Sequence, residues 1–75
     1  MQRLQRLTAI IEREEDGFVA LCPELDIASQ GLSIEEARAN LVEALTLFFE
    51  TADEAEVSRR LRHEVFVTQV EVPVG

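Results

Sequence analysis

Nineteen consecutive residues, Ser33 to Thr51, constrain the fold of this chain more than any other stretch. At 100° per residue, Ile34, Ala37, Leu41, Ala44, Leu45 and Phe48 fall on one side, and Val42 and Phe49 widen it. Glu35, Glu36, Asn40, Glu43, Thr46 and Glu50 lie on or near the other side. The spacing predicts a single amphipathic helix. Ser33 is placed as its N-cap, and Glu36, three residues on, completes a capping box. Gly31 lets the backbone turn into that cap. Two residues break the pattern. Leu47 stands among the polar residues, and Arg38 stands within the apolar sector, where its stem lies along the core edge and its head stays wet. A helix cannot bury such a face alone, so flanking strands must cover it.

Those strands are legible on both sides. Leu4 to Glu14 alternates, with Leu7, Ala9 and Ile11 set against Thr8, Ile10 and Glu12. Glu14-Glu15-Asp16-Gly17 then supplies a hairpin turn, with Asp-Gly as its strongest signal. Phe18 to Cys22 is the return strand. Phe18, Ala20 and Cys22 point one way and Val19 and Leu21 the other, so apolar residues on both faces predict a central position. Pro23 ends it by removing a ladder donor. Leu25 to Gln30 gives a short third strand. After the main helix, Asp53 and Glu56 repeat the capping-box spacing and predict a second helix, Glu54 to Leu61, with an i,i+4 pair between Glu56 and Arg60. Arg59, Arg60, Arg62 and His63 gather where cations suit the helix dipole. Glu64 to Val74 alternates again and is expected to return as a final strand parallel to the first, through a right-handed crossover. The expected order is β-β-β-α-(α)-β, an α+β fold. A three-stranded antiparallel sheet is joined by a C-terminal strand, with one main helix packed on it.

At 75 residues the chain is expected to form one domain with a small core, so oligomerisation, a homodimer or larger, is the expected support. Leu47 and the apolar flank of the last strand are the surfaces expected to meet a second copy. No apolar run is long enough to span a bilayer, and no apolar stretch follows the N-terminal arginines as a signal peptide requires. The single cysteine cannot form an intrachain disulfide, which points to a reducing, cytoplasmic setting.

The net charge of −8 is unevenly distributed. Residues 14–56 hold twelve acids against Arg38 alone, a local charge of −11, while residues 1–13 carry +2 and residues 57–75 carry +1. Such a middle repels phosphate and excludes direct nucleic-acid binding by that region. Its natural complement is a basic protein.

No catalytic constellation emerges. Cys22 lies in an apolar strand before a proline, the setting of a buried structural thiol. His63 sits among arginines with no second His or Cys at metal-ligand spacing. Asp16, Glu24 and Asp26 lie near strand ends and are the set from which a metal-dependent nuclease remnant would be built. Asp16 already has a turn role, however, and Glu24 and Asp26 flank one apolar residue. No phosphate loop, Ser/His/Asp set, cofactor motif or aromatic-rich basic stripe is present. The chain is therefore expected to be a binding module and not an enzyme, without catalytic, cofactor or metal residues.

The run Asp16-Gly17-Phe18-Val19-Ala20-Leu21-Cys22-Pro23-Glu24-Leu25 resembles the second-strand signature of HicB-family antitoxins. Ser29-Gln30-Gly31, Ser33-Ile34-Glu35-Glu36-Ala37, Asn40-Leu41 and Glu43-Ala44 are similar to the helix signature of that family. Together they cover residues 16 to about 50 in the family's order and spacing. The resemblance implies a partial ribonuclease-H-like sheet of three antiparallel strands, a helix and a further strand. It also implies a role in neutralising a small basic ribonuclease toxin of the HicA type by covering its working surface. Many relatives continue into a DNA-binding domain, whereas this sequence stops at Gly75, so a single HicB-like domain over residues 1–75 is expected. Glu24, Asp26, Glu36, Glu43, Leu47 and Glu50 are the expected partner-binding residues. The alternatives are an orphan oligomeric domain without a toxin and the nuclease remnant.

Overall fold

In the computed structural model, which describes residues 4–75, β1 (Ile10–Glu14), β2 (Gly17–Cys22) and β3 (Ile27–Gly31) precede α1 (Ile34–Thr51) and α2 (Glu54–Leu61). Arg3, counted above in the regional charge, lies outside the described residues. The sheet is antiparallel in the order β1-β2-β3, so β2 is central, as its two apolar faces require.

The register decides which side chains meet α1. Ile11, Ala20 and Ser29 lie opposite one another across the three strands, as do Cys22 and Ile27, and Phe18 and Gly31. Cross-strand partners share a face. That face meets α1 around a core of Ala20, Cys22, Leu25, Ala37 and Leu41, all fully buried. Leu7, Ile11, Phe18, Ile27, Leu45, Phe48, Phe49 and Leu61 pack around it. The alternate set, Ile10, Val19, Leu21 and Ala28, falls on the opposite face and stands apart from this cluster.

Both glycines in the sheet are explained by space. Neither has a positive φ. A Cβ on Gly31 would lie 2.5 Å from the Ala37 amide nitrogen, so its small size lets the first turn of α1 press against β3. A Cβ on Gly17 would lie 2.7 Å from the Gly31 carbonyl oxygen. Gly31 is thus needed for close packing and not for the turn into the cap. In the β1–β2 turn the left-handed residue is Glu15, with φ 42°, and Gly17 already belongs to the strand. Asp26 takes the same conformation, φ 55°, in the β2–β3 turn, where an Asp side chain is tolerated.

Both helix starts follow their capping signals. Ser33 Oγ accepts from the Glu36 amide at 3.0 Å, and the Asp53 carboxylate accepts from the Glu56 amide at 2.8 Å. The Glu36 carboxylate reaches one residue beyond the box, to the Leu32 amide at 2.9 Å. Within α1, Ile34 and Val42 are exposed although the period puts them with the core, because the narrow sheet covers only the stripe centred on Ala37 and Leu41.

Three further expectations are corrected. β1 begins at Ile10 and not at Leu4, because β2 reaches no further than Cys22, and Ile10 opposite Leu21 is the first pair of the ladder. The pair expected between Glu56 and Arg60 is replaced by Glu56 with Arg59, 2.8 Å apart. Arg60 instead turns inward, donating to the Leu25 carbonyl at 2.8 Å and standing over the Phe48 ring at 5.3 Å. The largest correction is the fourth strand. Residues 63–75 take no regular secondary structure and do not return beside β1. Past a half-buried Val65, the segment leaves with Phe66, Val67, Val70, Val72 and Val74 exposed. The radius of gyration of 14.6 Å and the extents of 51 × 28 × 19 Å record that departure. A chain of this length packed as one globule would have a radius near 11 Å.

Candidate functional site

The expected partner-binding residues separate into three locations. Glu43, Leu47 and Glu50 come together. They line an open groove along α1 with Ala39, Asn40, Val42, Ala44 and Thr46, and Ser29 of β3 forms its other wall. Leu47 is 58% exposed there and Val42 is 49% exposed, so the two carboxylates flank an apolar strip. Helical spacing places this group: 43, 47 and 50 differ by four and three residues, and such positions share a face. Leu47 breaks the polar side of α1 in the sequence, and in the structure it belongs to this strip.

The helical period places Asn40 on the polar side. It is half-buried, and its amide donates to the Gln30 carbonyl at 2.8 Å, which ties the groove wall on α1 to β3. Its signal in the sequence is faint: an Asn in a helix interior is a poor helix former that needs a partner. Val42 is a second residue that the helical period misassigns, since the period groups it with the core although it is half exposed.

Glu24 sits elsewhere and has an internal task. Its carboxylate accepts from the Thr8 amide at 3.1 and 3.2 Å, from the Thr8 hydroxyl at 2.6 Å and from Cys22 Sγ at 3.5 Å. Those bonds tie the segment before β1 to the β2–β3 turn. Desolvation raises the Glu24 pKa, but the bonds from Thr8, the Glu24 amide and Cys22 together outweigh it and hold the carboxyl below the ordinary range. Cys22 is fully buried, as expected. Burial, the first cause, and the adjoining carboxylate push its thiol upward against the opposing Leu25 and Glu24 backbone bonds. Nothing in the sequence pairs Thr8 with residue 24, because the contact spans sixteen positions.

Asp26 is exposed in the same turn, and its backbone conformation accounts for its presence. Glu36 is committed to the start of α1 and borders a concavity with Glu14, Glu15 and Asp16 of the β1–β2 turn. Asp16 therefore lies at one end of β2, and Glu24 and Asp26 at the other. Six residues at about 3.3 Å each put roughly 20 Å between them. The three carboxylates from which a nuclease remnant would be built are not assembled. Among the described residues, no group of three His, Cys, Asp or Glu side chains is arranged to hold a metal ion. No helix of the described residues is long and apolar enough to cross a membrane.

A three-stranded antiparallel sheet with a capped amphipathic helix across one face, and an acidic groove between the flank of that helix and β3, defines a small α+β domain. The chain is 31% identical over 67 residues to a UPF0150 protein from Helicobacter pylori (strain J99 / ATCC 700824), an alignment covering 88% of this chain and 93% of that protein. It belongs to the UPF0150 family. No family model matches the chain. No solved structure matches it either.

Proposed function

We propose that this chain is an antitoxin-like, protein-binding module of the HicB kind that neutralises a small basic ribonuclease toxin of the HicA type in the cytoplasm, without catalysis. The observation that carries this reading is the groove on α1, where Glu43 and Glu50 flank exposed Leu47 and Val42. Carboxylates beside an apolar strip suit a cationic surface with its own apolar centre. The charge of −11 over residues 14–56 draws such a partner in and repels nucleic acid. Membership of the UPF0150 family and the resemblance of residues 16 to 50 to HicB signatures support the same reading. The buried Cys22 thiol, pushed upward and unpaired, suits a reducing compartment.

In this mechanism charge sets the encounter and apolar contact sets the lifetime. Association is to be measured by surface kinetics with a small basic ribonuclease of the HicA type, at two salt concentrations. The on-rate is expected to fall as the Debye length shrinks toward about 8 Å, with little change in the off-rate. Leu47→Ala should raise the off-rate about tenfold, near 1.4 kcal/mol, while Glu43→Gln with Glu50→Gln should act on the on-rate. No complex at micromolar concentration leaves the orphan oligomeric domain as the better reading. An on-rate indifferent to salt overturns the electrostatic part. Ribonuclease activity in the purified chain that vanishes with Asp26→Asn overturns the assignment as a binding module.

A further inference from the structure

Among the described residues, the one strongly apolar segment that finds no place in its own fold is the tail. Phe66, Val70, Val72 and Val74 share one row of an extended chain, interrupted only by Thr68, and all four are exposed, Phe66 by 85% and Val70 by 78%. A row of this kind is the signature of a strand with one buried face. Residues 64–74 span about 36 Å when extended, enough to reach well beyond their own sheet.

The sheet has a vacancy of matching kind. β2 is paired on both sides. On β3 the Gln30 carbonyl is already bonded by Asn40, and α1 stands beside that edge. Among the described residues β1 is bonded only to β2, and no side chain bonds to the backbone of Ile10–Glu14. An open edge presents a row of free amides and carbonyls that another strand completes.

We infer that residues 64–74 form the fourth strand on β1 of a second copy of this chain, reciprocally, so that two chains exchange tails about a two-fold axis. Donor and acceptor belong to the same sequence, so each chain supplies what the other lacks and the assembly closes at two. The exchange uses the β1 edge and leaves the α1 groove free, so it does not depend on the proposed toxin. Exchange also answers the core's small size, since it covers apolar side chains that a single chain leaves in water.

The test uses the full chain. Light scattering at micromolar concentration is expected to give twice the 8.5 kDa chain mass. Hydrogen exchange is expected to show slow amides in Ile10–Glu14 and in the tail. Val70→Glu with Val72→Glu should give the single-chain mass, a far-UV circular dichroism spectrum that keeps its helical signal, and faster exchange at the β1 amides. Thr68→Pro removes a donor without adding charge and should weaken the dimer at least about tenfold. Glu71→Gln, on the opposite row, should leave it intact. A wild-type monomer overturns the inference, and slow tail amides in that monomer would show the tail returning to its own sheet. A dimer that survives both tail variants overturns it in favour of another surface, such as the sheet face with Val19 and Leu21. Loss of the dimer without change at the β1 amides overturns the β1 edge as acceptor.

Discussion

β2 and the tail are written in the same alphabet and end in opposite situations. Gly17–Cys22 and residues 64–74 are both rich in apolar residues, and each meets a proline at its end, Pro23 just past β2 and Pro73 within the tail. Ala20 and Cys22 are completely buried, while Val70, Val72 and Val74 are among the most exposed apolar side chains of the molecule. The difference lies in what surrounds them. β2 has a two-residue turn on one side, a four-residue turn on the other, and a helix that the third strand delivers directly onto it. Short loops make those pairings cheap in entropy. The tail follows two helices and has no neighbour in sequence with which to pair. Apolar alternation specifies the faces of a strand and leaves its partner open.

The largest effect that sharpens this contrast is a paired truncation. Leu41→Ala, at a position only 1% exposed and at the centre of the core, is expected to cost about 2–5 kcal/mol. Val72→Ala, 68% exposed, is expected to stay within about 0.5 kcal/mol when measured at a concentration where the chain is monomeric. Urea denaturation of both variants checks the pair. Equal losses would erase the distinction between the packed core and the waiting tail.

A smaller effect separates the two arginines of α2. Arg60 spans from the second helix to the Leu25 carbonyl and stands over Phe48, so Arg60→Ala is expected to lose about 1–2 kcal/mol. Arg59→Ala removes only an exposed pair with Glu56 and is expected to lose about 0.3–0.5 kcal/mol. Thermal melts of both variants, with the reverse order as the contrary result, test whether α2 is held on the core by Arg60.

The smallest effect concerns pH. The folded Glu24 carboxyl sits below its unfolded value, so its contribution to stability is present above the unfolded value and lost as pH falls through the folded one. Cys22 has the opposite sense. Its folded pKa is raised, so its contribution holds below the unfolded value and fades as pH rises through the folded one. Denaturation midpoints across the acid range are expected to drop less in Glu24→Gln than in the wild type. Equal slopes would mean that Thr8 does not hold the carboxylate in its charged form.

The candidate groove was partly legible. Helical spacing alone puts Glu43, Leu47 and Glu50 on one face, because the period of a helix is independent of its surroundings. Glu24 and Asp26 share only their charge with that face, and charge says nothing about which end of a sheet a residue occupies. Glu24 turned out to bind Thr8, and Asp26 to serve a left-handed turn position. Val42 was misplaced because the width of the covered stripe depends on the sheet beneath it.

By itself, the sequence determined the features whose causes lie within a few residues. Ser33 and Asp53 start the two helices, Pro23 ends β2, and the short turns make the first three strands antiparallel neighbours, because capping, φ restriction and loop closure are local. Only the tertiary structure decided the rest. Gly31 is needed because α1 passes within contact of its backbone, Arg60 leaves Glu56 for a carbonyl thirty-five residues away, and residues 64–74 find no edge within their own chain. Each of these depends on where a distant segment comes to lie, and no periodicity within a segment encodes the position of another.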